Sequence, residues 1–516
     1  MTIKSKIQLV LIVLILVSIT TTCQQQSKYD GEVKVEYTPY HVNLIRPIID
    51  PERIYQIFID DKRFHSLPRE MKKIRNLRDF ELINVKIKDW RKSEEIINSF
   101  KQLRKLDIAM NEFNTLPFNP GSLPYLEELD ITTTSGYNLD KEFDKILEFD
   151  SLKALYLGGI KTDHLPEKLS QLKNLKRLHL GHHGDNFNYE NAINTLSELP
   201  ELEYVMFEVA SFETIPQNFH QLHKLKKLGF YDGKFDITAL LNHIKEWEQL
   251  EMLKFLDMDV RSLPENISEL NNLKTLNLPD NRHLDHQRLF RQLSELPELE
   301  ELDISKTILH HQHDRFVMPK ELGELKNLKR LDMATSQNIV FDSLFDVLLK
   351  LPKLEYLNLY RCTSDGYIVQ FPDVLDKMIN LKELKITYLG PHPFDKVNGL
   401  PPNIEKLTYE NASFGENTPI QKVIFSATSL KSLNLNSCEL KELPEEIGNL
   451  KNLVHLDLGN NQLKDLPESI TKLKKLRYLN LMGTYISESE EKRKEIEQML
   501  PNTLIFFGEY EAYEPI

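Results

Sequence analysis

Cysteine is nearly absent from this chain, with three residues in 516: Cys23, Cys362 and Cys438. So few thiols, none of them closely paired, exclude a zinc site of the paired-cysteine kind. The sequence also lacks a phosphate loop, a dinucleotide fingerprint and a His-Glu-x-x-His helix, which removes the commonest nucleotide and metalloprotease chemistries. Positive charge is in deficit: 65 lysines and arginines face 78 aspartates and glutamates, a net charge of −13. Phosphate backbones are held by basic surfaces, so this balance argues against a nucleic-acid partner. Long apolar runs are missing too, apart from Ile7 to Ile19, which is broken only by Gln8 and Ser18. That run falls short of the roughly 20 residues a spanning helix needs.

What is present is a period. Leu430-x-x-Leu433-x-Leu435-x-x-Cys438-x-Leu440-x-x-Leu443-Pro444 returns 23 residues later as Leu453-x-x-Leu456-x-Leu458-x-x-Asn461-x-Leu463-x-x-Leu466-Pro467, and begins again at Leu476. The same frame fits starts at Ile54, Leu77, Leu103, Leu126, Leu152, Leu175, Leu202, Leu225, Leu250 and Leu273. It continues at Leu299, Leu328, Leu354, Leu381 and Ile404, which makes eighteen starts in all. Up to Leu299 short and long members alternate. Short members close on Leu116-Pro117, Leu165-Pro166, Ile215-Pro216 and Leu263-Pro264. Proline fixes φ and lacks an amide hydrogen, which suits an extended or one-turn return. Long members predict helices that begin at the capping residues Asp236, Asp285 and Asp342, and at Thr418-Pro419, where proline takes the first helical position. A chain of 516 residues is too long for one ordinary core. Stacked repeats avoid that limit, because each buries its apolar face only against its neighbours.

This pattern resembles the Leu-Pro type of leucine-rich repeat, as in Ras-suppressor-like and plant intracellular Ras-group-related proteins, over about residues 54–487. The resemblance implies an α/β fold: a right-handed solenoid, or horseshoe, of about 18 repeats. A parallel sheet would line its concave side, with helices and Leu-Pro turns alternating on the convex side. It also places Cys362 and Cys438 at an inward position whose side chain bonds the backbone of the next turn. They lie three repeats apart, which at about 4.8 Å per strand is too far for a disulfide.

Before the repeats, Lys4 and Lys6 precede the apolar run, and Cys23 follows it within Thr20-Thr21-Thr22-Cys23. This resembles the signal and lipid-acceptor cysteine of a bacterial lipoprotein, with Thr20 and Thr22 where that family carries a Leu-like and a small residue. The resemblance implies lipidation of Cys23 and a membrane anchor in the cell envelope, at the outer membrane or cell surface. The expected division is therefore a signal peptide at 1–22, a linker and N-terminal cap at 23–53, repeats at 54–487 and a C-terminal cap at 488–516. Phe506 and Phe507 are available to cover the last repeat edge.

Candidates for chemistry are few. His310-His311-Gln312-His313-Asp314-Arg315 places three imidazoles beside a carboxylate in a repeat six residues too long. Its default is a solvated loop, and no metal or cofactor is expected. Gly181-His182-His183-Gly184-Asp185 is a weaker candidate still. No activated nucleophile stands beside a base, so the chain reads as non-enzymatic.

The concave surface is more informative. Offset +4 from each first leucine is notably polar, with Asp107, Asp130, Asn277, Asp303, Asp332, Asn358, Asn434, Asp457 and Asn480, as a long wet sheet face needs. Two aromatic groups interrupt it. One comprises Tyr156, His179, Tyr204, Met206 and Tyr231; the other comprises Tyr356, Tyr360, Arg361 and Tyr388. These nine are the candidate ligand-binding residues and are expected to point into solvent, since tyrosine and arginine dominate binding hot spots. The expected function is a scaffold that binds a protein or peptide along the concave face. The alternatives are a glycan or surface polymer as ligand, a structural spacer, or intracellular scaffolding if the apolar run is not a signal.

Overall fold

The computed structural model describes residues 40–41 and 54–507, apart from 60–63, 133–135, 161, 182–186, 209–213, 309–314, 363–369, 388–392 and 413–421. Among the described residues twenty parallel strands form one sheet and pair in chain order from Tyr40–His41 to Leu504–Phe506. Each of the eighteen repeat starts yields a strand two residues later, as Leu453 precedes His455–Asp457. The leucines at offset +3 lie in register from strand to strand: Leu433 pairs with Leu456, and Leu456 with Leu479. All three are buried, and full burial of such a side chain is worth about 1.5–3 kcal/mol. Repeated along the sheet, these leucines make one continuous core.

The sequence frame misses the first and last strands. Tyr40–His41 lies inside the expected cap, and Leu504–Phe506 pairs onto Tyr478–Asn480. Neither carries the periodic leucines, because an end strand packs against one neighbour only. Leu504 and Phe506 are exposed, and Phe507 packs against the edge of the core.

The opposite side alternates as expected. Helices Ile237–Ile244 and His286–Leu293 begin at Asp236 and Asp285, whose carboxylates accept from the amides of Thr238 and Arg288. The third helix departs from expectation. It runs Phe341–Leu348 with Val340 at its cap, so Asp342 lies inside the first turn. There its charge still faces the positive end of the helix. Thr418 and Pro419 fall outside the described residues. The Leu-Pro members return through single 3-10 turns with proline as the leading residue, at Pro166, Pro216, Pro264, Pro444 and Pro467.

A buried polar ladder ties successive turns. The Asn461 amide donates to the carbonyls of Leu435, Leu458 and Gly459 and accepts from the amides of Cys438 and Leu440. Asn111 and Asn281 repeat the pattern. Cys362 and Cys438 take the same position, with Sγ 3.0 Å from Met333 O and 3.1 Å from Tyr409 O. These bonds reach back to the preceding turn, not forward to the next. The inward side chain lies after its own strand, so the carbonyls within reach belong to the strand already laid down.

Candidate concave-face site

The polar row at offset +4 does more than keep the sheet wet. In repeat after repeat its side-chain oxygen accepts the amide two residues on. Asp107 takes Ala109 N at 3.0 Å, Asp303 takes Ser305 N at 2.9 Å, and Asp457 takes Gly459 N at 2.9 Å. Asp130, Asp332, Asn434 and Asn480 do the same. An amide held this way cannot continue the ladder, so the strand stops. Where Asp or Asn stands at +4 the strand is generally three residues long, as at Lys105–Asp107 and Ser432–Asn434. After Asn277 the residue two on is Pro279, which has no amide to give.

Two stretches that lack this stop run to five residues, while Phe58 and Glu81, which also lack it, lie in strands of four. His179, Met206, Gly229 and Lys254 hold the +4 place in four successive strands, and all four run five residues: Arg177–Gly181, Tyr204–Glu208, Lys227–Tyr231 and Met252–Leu256. Lys385 and Thr408 hold it in Glu383–Thr387 and Lys406–Glu410, again five residues each. Two strands depart from the rule. Tyr356–Tyr360 is long although Asn358 accepts Tyr360 N, and it lies beside the long Glu383 strand. Ala154–Tyr156 is short without an Asp or Asn. Tyr204, Met206, Tyr231, Tyr356 and Tyr360 fall on these five-residue strands, and Tyr156 lies on the short strand beside the first of them.

In the first stretch the sheet is buried on both faces. On the core side Phe207, Phe230 and Phe255 stack in register, with centroids 5.6 and 6.0 Å apart. On the concave side Tyr204, Met206, Tyr231 and Leu256 form a separate apolar cluster, exposed by only 6%, 2%, 4% and 6%. Glycine makes room for it. A Cβ on Gly229 would stand 2.7 Å from Met206 Cε, so the methionine lies across the bare backbone of the next strand. Glu208 reaches the other way, over Gly181, and a Cβ on Gly158 would meet its Oε2 at 2.8 Å.

A buried acid and a half-buried base flank the cluster. Glu208 Oε1 lies 4.0 Å from His179 Nδ1, beyond hydrogen-bond reach. Burial, then the charge of Asp130, pushes the Glu208 carboxyl up to about 8. Burial, then Lys254 and Arg177, pushes the His179 imidazole down to about 3. Both groups are therefore uncharged near neutral pH. His179 packs on Tyr156 with centroids 4.4 Å apart and meets Tyr204 edge-on at 5.6 Å. Lys254 Nζ sits 5.8 Å from the Tyr204 ring centre.

In the second stretch the Tyr356 ring lies 3.8 Å from the Arg330 guanidinium carbon and 5.5 Å from Lys385 Nζ, so cations of both neighbouring strands hold it. Arg361 stands 5.3 Å from the Tyr360 ring at a corner with φ 54°.

The structure thus corrects the expectation of an open aromatic patch. Tyr204, Met206 and Tyr231 lie on the concave side as predicted, but they are buried floor, and so is Tyr356. Rings on adjacent strands cover one another because strands stand only about 4.8 Å apart. Tyr156, His179 and Tyr360 are half-buried and Arg361 is exposed; these, with Arg177 and Lys227, form the accessible rim. Tyr388, Cys23, the His310–Asp314 cluster and His182–Asp185 lie outside the described residues. Sequence reasoning missed Glu208, Lys254, Leu256 and the phenylalanine stack. The missing Asp or Asn at +4, with glycines at 158, 181 and 229, was the signal that marks them.

The cysteines carry no chemistry here. Burial pushes the Cys362 and Cys438 thiols up to about 12, so neither supplies a thiolate at neutral pH. Among the described residues no group of three or more His, Cys, Asp or Glu is placed to hold a metal ion, and no helix is long and apolar enough to cross a membrane.

A solenoid whose stacked strands present one continuous concave surface defines a class of binding scaffold. The chain belongs to the leucine-rich repeat family: the family profile described as a leucine-rich repeat region matches residues 216–391 and 407–499, together more than half of its length. Similar solved structures include a leucine-rich repeat protein of Leptospira interrogans, at 24% identity and a TM-score of 0.34, covering 91% of this chain and 100% of the other. The TLR13 chain of a TLR13–ssRNA13 complex follows at 15% identity and a TM-score of 0.43, covering 87% and 80%. A plant peptide hormone receptor, RGFR1, in complex with RGF2 stands at 19% identity and 0.33, covering 87% and 65%. No curated protein matches the sequence.

Proposed function

We propose that this chain is a non-enzymatic binding scaffold of the bacterial cell envelope. It takes a protein or peptide ligand along its concave face and is held to a membrane through Cys23. The observation that carries the concave reading is the pair of stretches where strands run to five residues, Arg177–Gly181 to Met252–Leu256 and Tyr356–Tyr360 to Lys406–Glu410. A solenoid needs no such lengthening to stack, and both stretches bring aromatic and cationic side chains to the same face. An apolar floor under a polar, half-open rim matches the anatomy of protein interfaces. A glycan would need ring faces open for stacking, and Tyr204, Tyr231 and Tyr356 are buried. That favours the protein ligand.

The test is site-specific photo-crosslinking in cells, with the cross-linker placed at Tyr156 and Tyr360, or at Lys245 and Glu248 on the helical side. Capture of one common partner from the concave positions alone is the expected result. Capture only from Lys245 and Glu248 would move the recognition surface to the helices. The anchor is tested separately: Cys23→Ser should shift the protein out of the membrane fraction, and unchanged fractionation would end the lipoprotein reading.

A further inference from the structure

The overall acidity of the chain hides a basic end. Across the first two repeats, residues 54–102, twelve lysines and arginines face eight aspartates and glutamates, a net of +4. Across residues 103–516 the counts are 47 and 65, a net of −18. The turns that lead into the strands Asp79–Leu82 and Lys105–Asp107 border a half-open cavity of about 500 Å³. Lys72, Arg75, Arg78 and Lys101 line it together with Tyr55, Asn76, Ser99 and Gln102, and no described carboxylate does.

These cations are only lightly neutralised. Lys72 pairs with Glu95 at 2.9 Å, but both side chains are well exposed, and such pairs are loosely held. Arg78 lies over the Tyr55 ring at 5.6 Å, and Lys101 donates to the carbonyl of Ser122 at 3.2 Å. Arg75 pairs with no acid among the described residues. Arginine forks and ammonium groups gathered at one cavity are the donor set that phosphate oxygens take.

We propose that this basic end docks on the phosphate headgroups of an anionic membrane, one headgroup entering the cavity while neighbouring lysines and arginines lie along the surface. The choice of a membrane over a soluble anion rests on the proposed anchor. Residues 24–53 are all that separates Cys23 from the first repeat, so the basic end is the end of the solenoid nearest the lipid. A lipid chain together with a basic patch holds a protein far better than either alone. The −18 of the remaining chain would then be repelled by the same surface, which would stand the solenoid away from it.

The experiment uses the full chain carrying Cys23→Ser, so that no covalent lipid contributes, and measures sedimentation with vesicles of phosphatidylglycerol or of phosphatidylcholine. The leader, with Lys4 and Lys6, is the same in every variant, so the change on neutralising Lys72, Arg75 and Lys101 reads the cavity cations. Binding to phosphatidylglycerol should be stronger, should fade at about 0.5 M salt, and should weaken about a hundredfold in K72Q/R75Q/K101Q, since each cation near an anionic surface contributes about fivefold. Neutralising Lys464, Lys472 and Lys474, exposed lysines near the other end of the solenoid, should change nothing. Equal binding to both lipids, or a triple variant that binds as before, overturns the proposal. So does full competition by millimolar inorganic phosphate, which would assign the cavity to a free anion. Loss of phosphatidylglycerol preference leaves the Cys23 anchor standing, while unchanged fractionation of Cys23→Ser in cells removes the anchor and leaves the vesicle result to stand by itself.

Discussion

Glu208 lies across the backbone of Gly181, one strand back, with no side chain between them. A Cβ at position 181 would collide with Glu208 Cβ and stand 3.1 Å from the Glu208 carbonyl oxygen. Neither atom can swing aside, because both belong to the stem of the residue and its strand. Gly181→Ala should therefore cost about 1–3 kcal/mol, the usual penalty for overpacking. Gly229→Ala meets only the far end of Met206, whose thioether can rotate away, and should cost less. Urea denaturation of the two variants checks the order, and a larger loss at Gly229 would contradict this geometry.

Glu208 and His179 should leave opposite marks on stability against pH. The folded chain keeps the Glu208 proton up to about 8, whereas an unfolded glutamate releases it near 4.5. The stability this group contributes is full below pH 4.5 and is lost as pH rises to about 8. His179 behaves the other way. An unfolded imidazole takes up a proton below 6.5, the folded one resists it down to about 3, and stability is lost as pH falls through that window. The stability difference between the parent and Glu208→Gln should shrink with rising pH, by up to about 1.4 kcal/mol per unit. The difference between the parent and His179→Gln should shrink with falling pH. A flat Glu208→Gln curve would mean that the carboxyl is ionised within the fold.

Asn461 satisfies five backbone groups of its own and the preceding turn, and it is buried from water. Asn461→Ala would strand two amides and the carbonyls of Leu435 and Leu458, while the Gly459 carbonyl keeps the Ser437 amide; each buried unpaired group costs about 1–3 kcal/mol. Partial relaxation should leave a loss of at least about 3 kcal/mol, seen as early hydrogen exchange in the adjoining turns. Ser432, half-buried on the concave face, should tolerate Ala within about 0.5 kcal/mol. Equal losses at the two sites would break the register described above.

Cys362 and Cys438 are both buried and both bonded to carbonyls. In a Cys23→Ser background, a thiol reagent at neutral pH should label neither in the folded protein and both after unfolding. Rapid native labelling at one position would show that its turn opens on its own.

The inward half of this molecule was open to reading from sequence. Leu433, Leu456 and Leu479 must repeat at a fixed offset because each packs on the next, and that requirement writes itself into the spacing. The outward half obeys a weaker rule. Tyr204 and Tyr231 sit at solvent-facing offsets, and offset alone cannot tell that Met206, Leu256 and three glycines on neighbouring strands close them over. Asp342 misled by two positions because the cap is Val340, which offers no side-chain acceptor, and the helix begins at Phe341. The end strands Tyr40–His41 and Leu504–Phe506 left no periodic trace, since they answer to one neighbour instead of two.

The stop at offset +4 also bears on how a surface like this can change. In most repeats one side chain marks where a strand halts after three residues, and it does so by holding a single amide of its own turn. The leucines beneath are untouched by it. Exchanging such aspartates across neighbouring repeats for residues that cannot take the amide frees the backbone to run on, as it does from Arg177–Gly181 to Met252–Leu256, and brings new side chains to the concave wall. Because each turn leans only on its neighbours, such exchanges can accumulate in one stretch and leave the distant turns as they were. A recognition surface can in this way be written, erased or moved along the coil one repeat at a time, while the core that carries it stays the same.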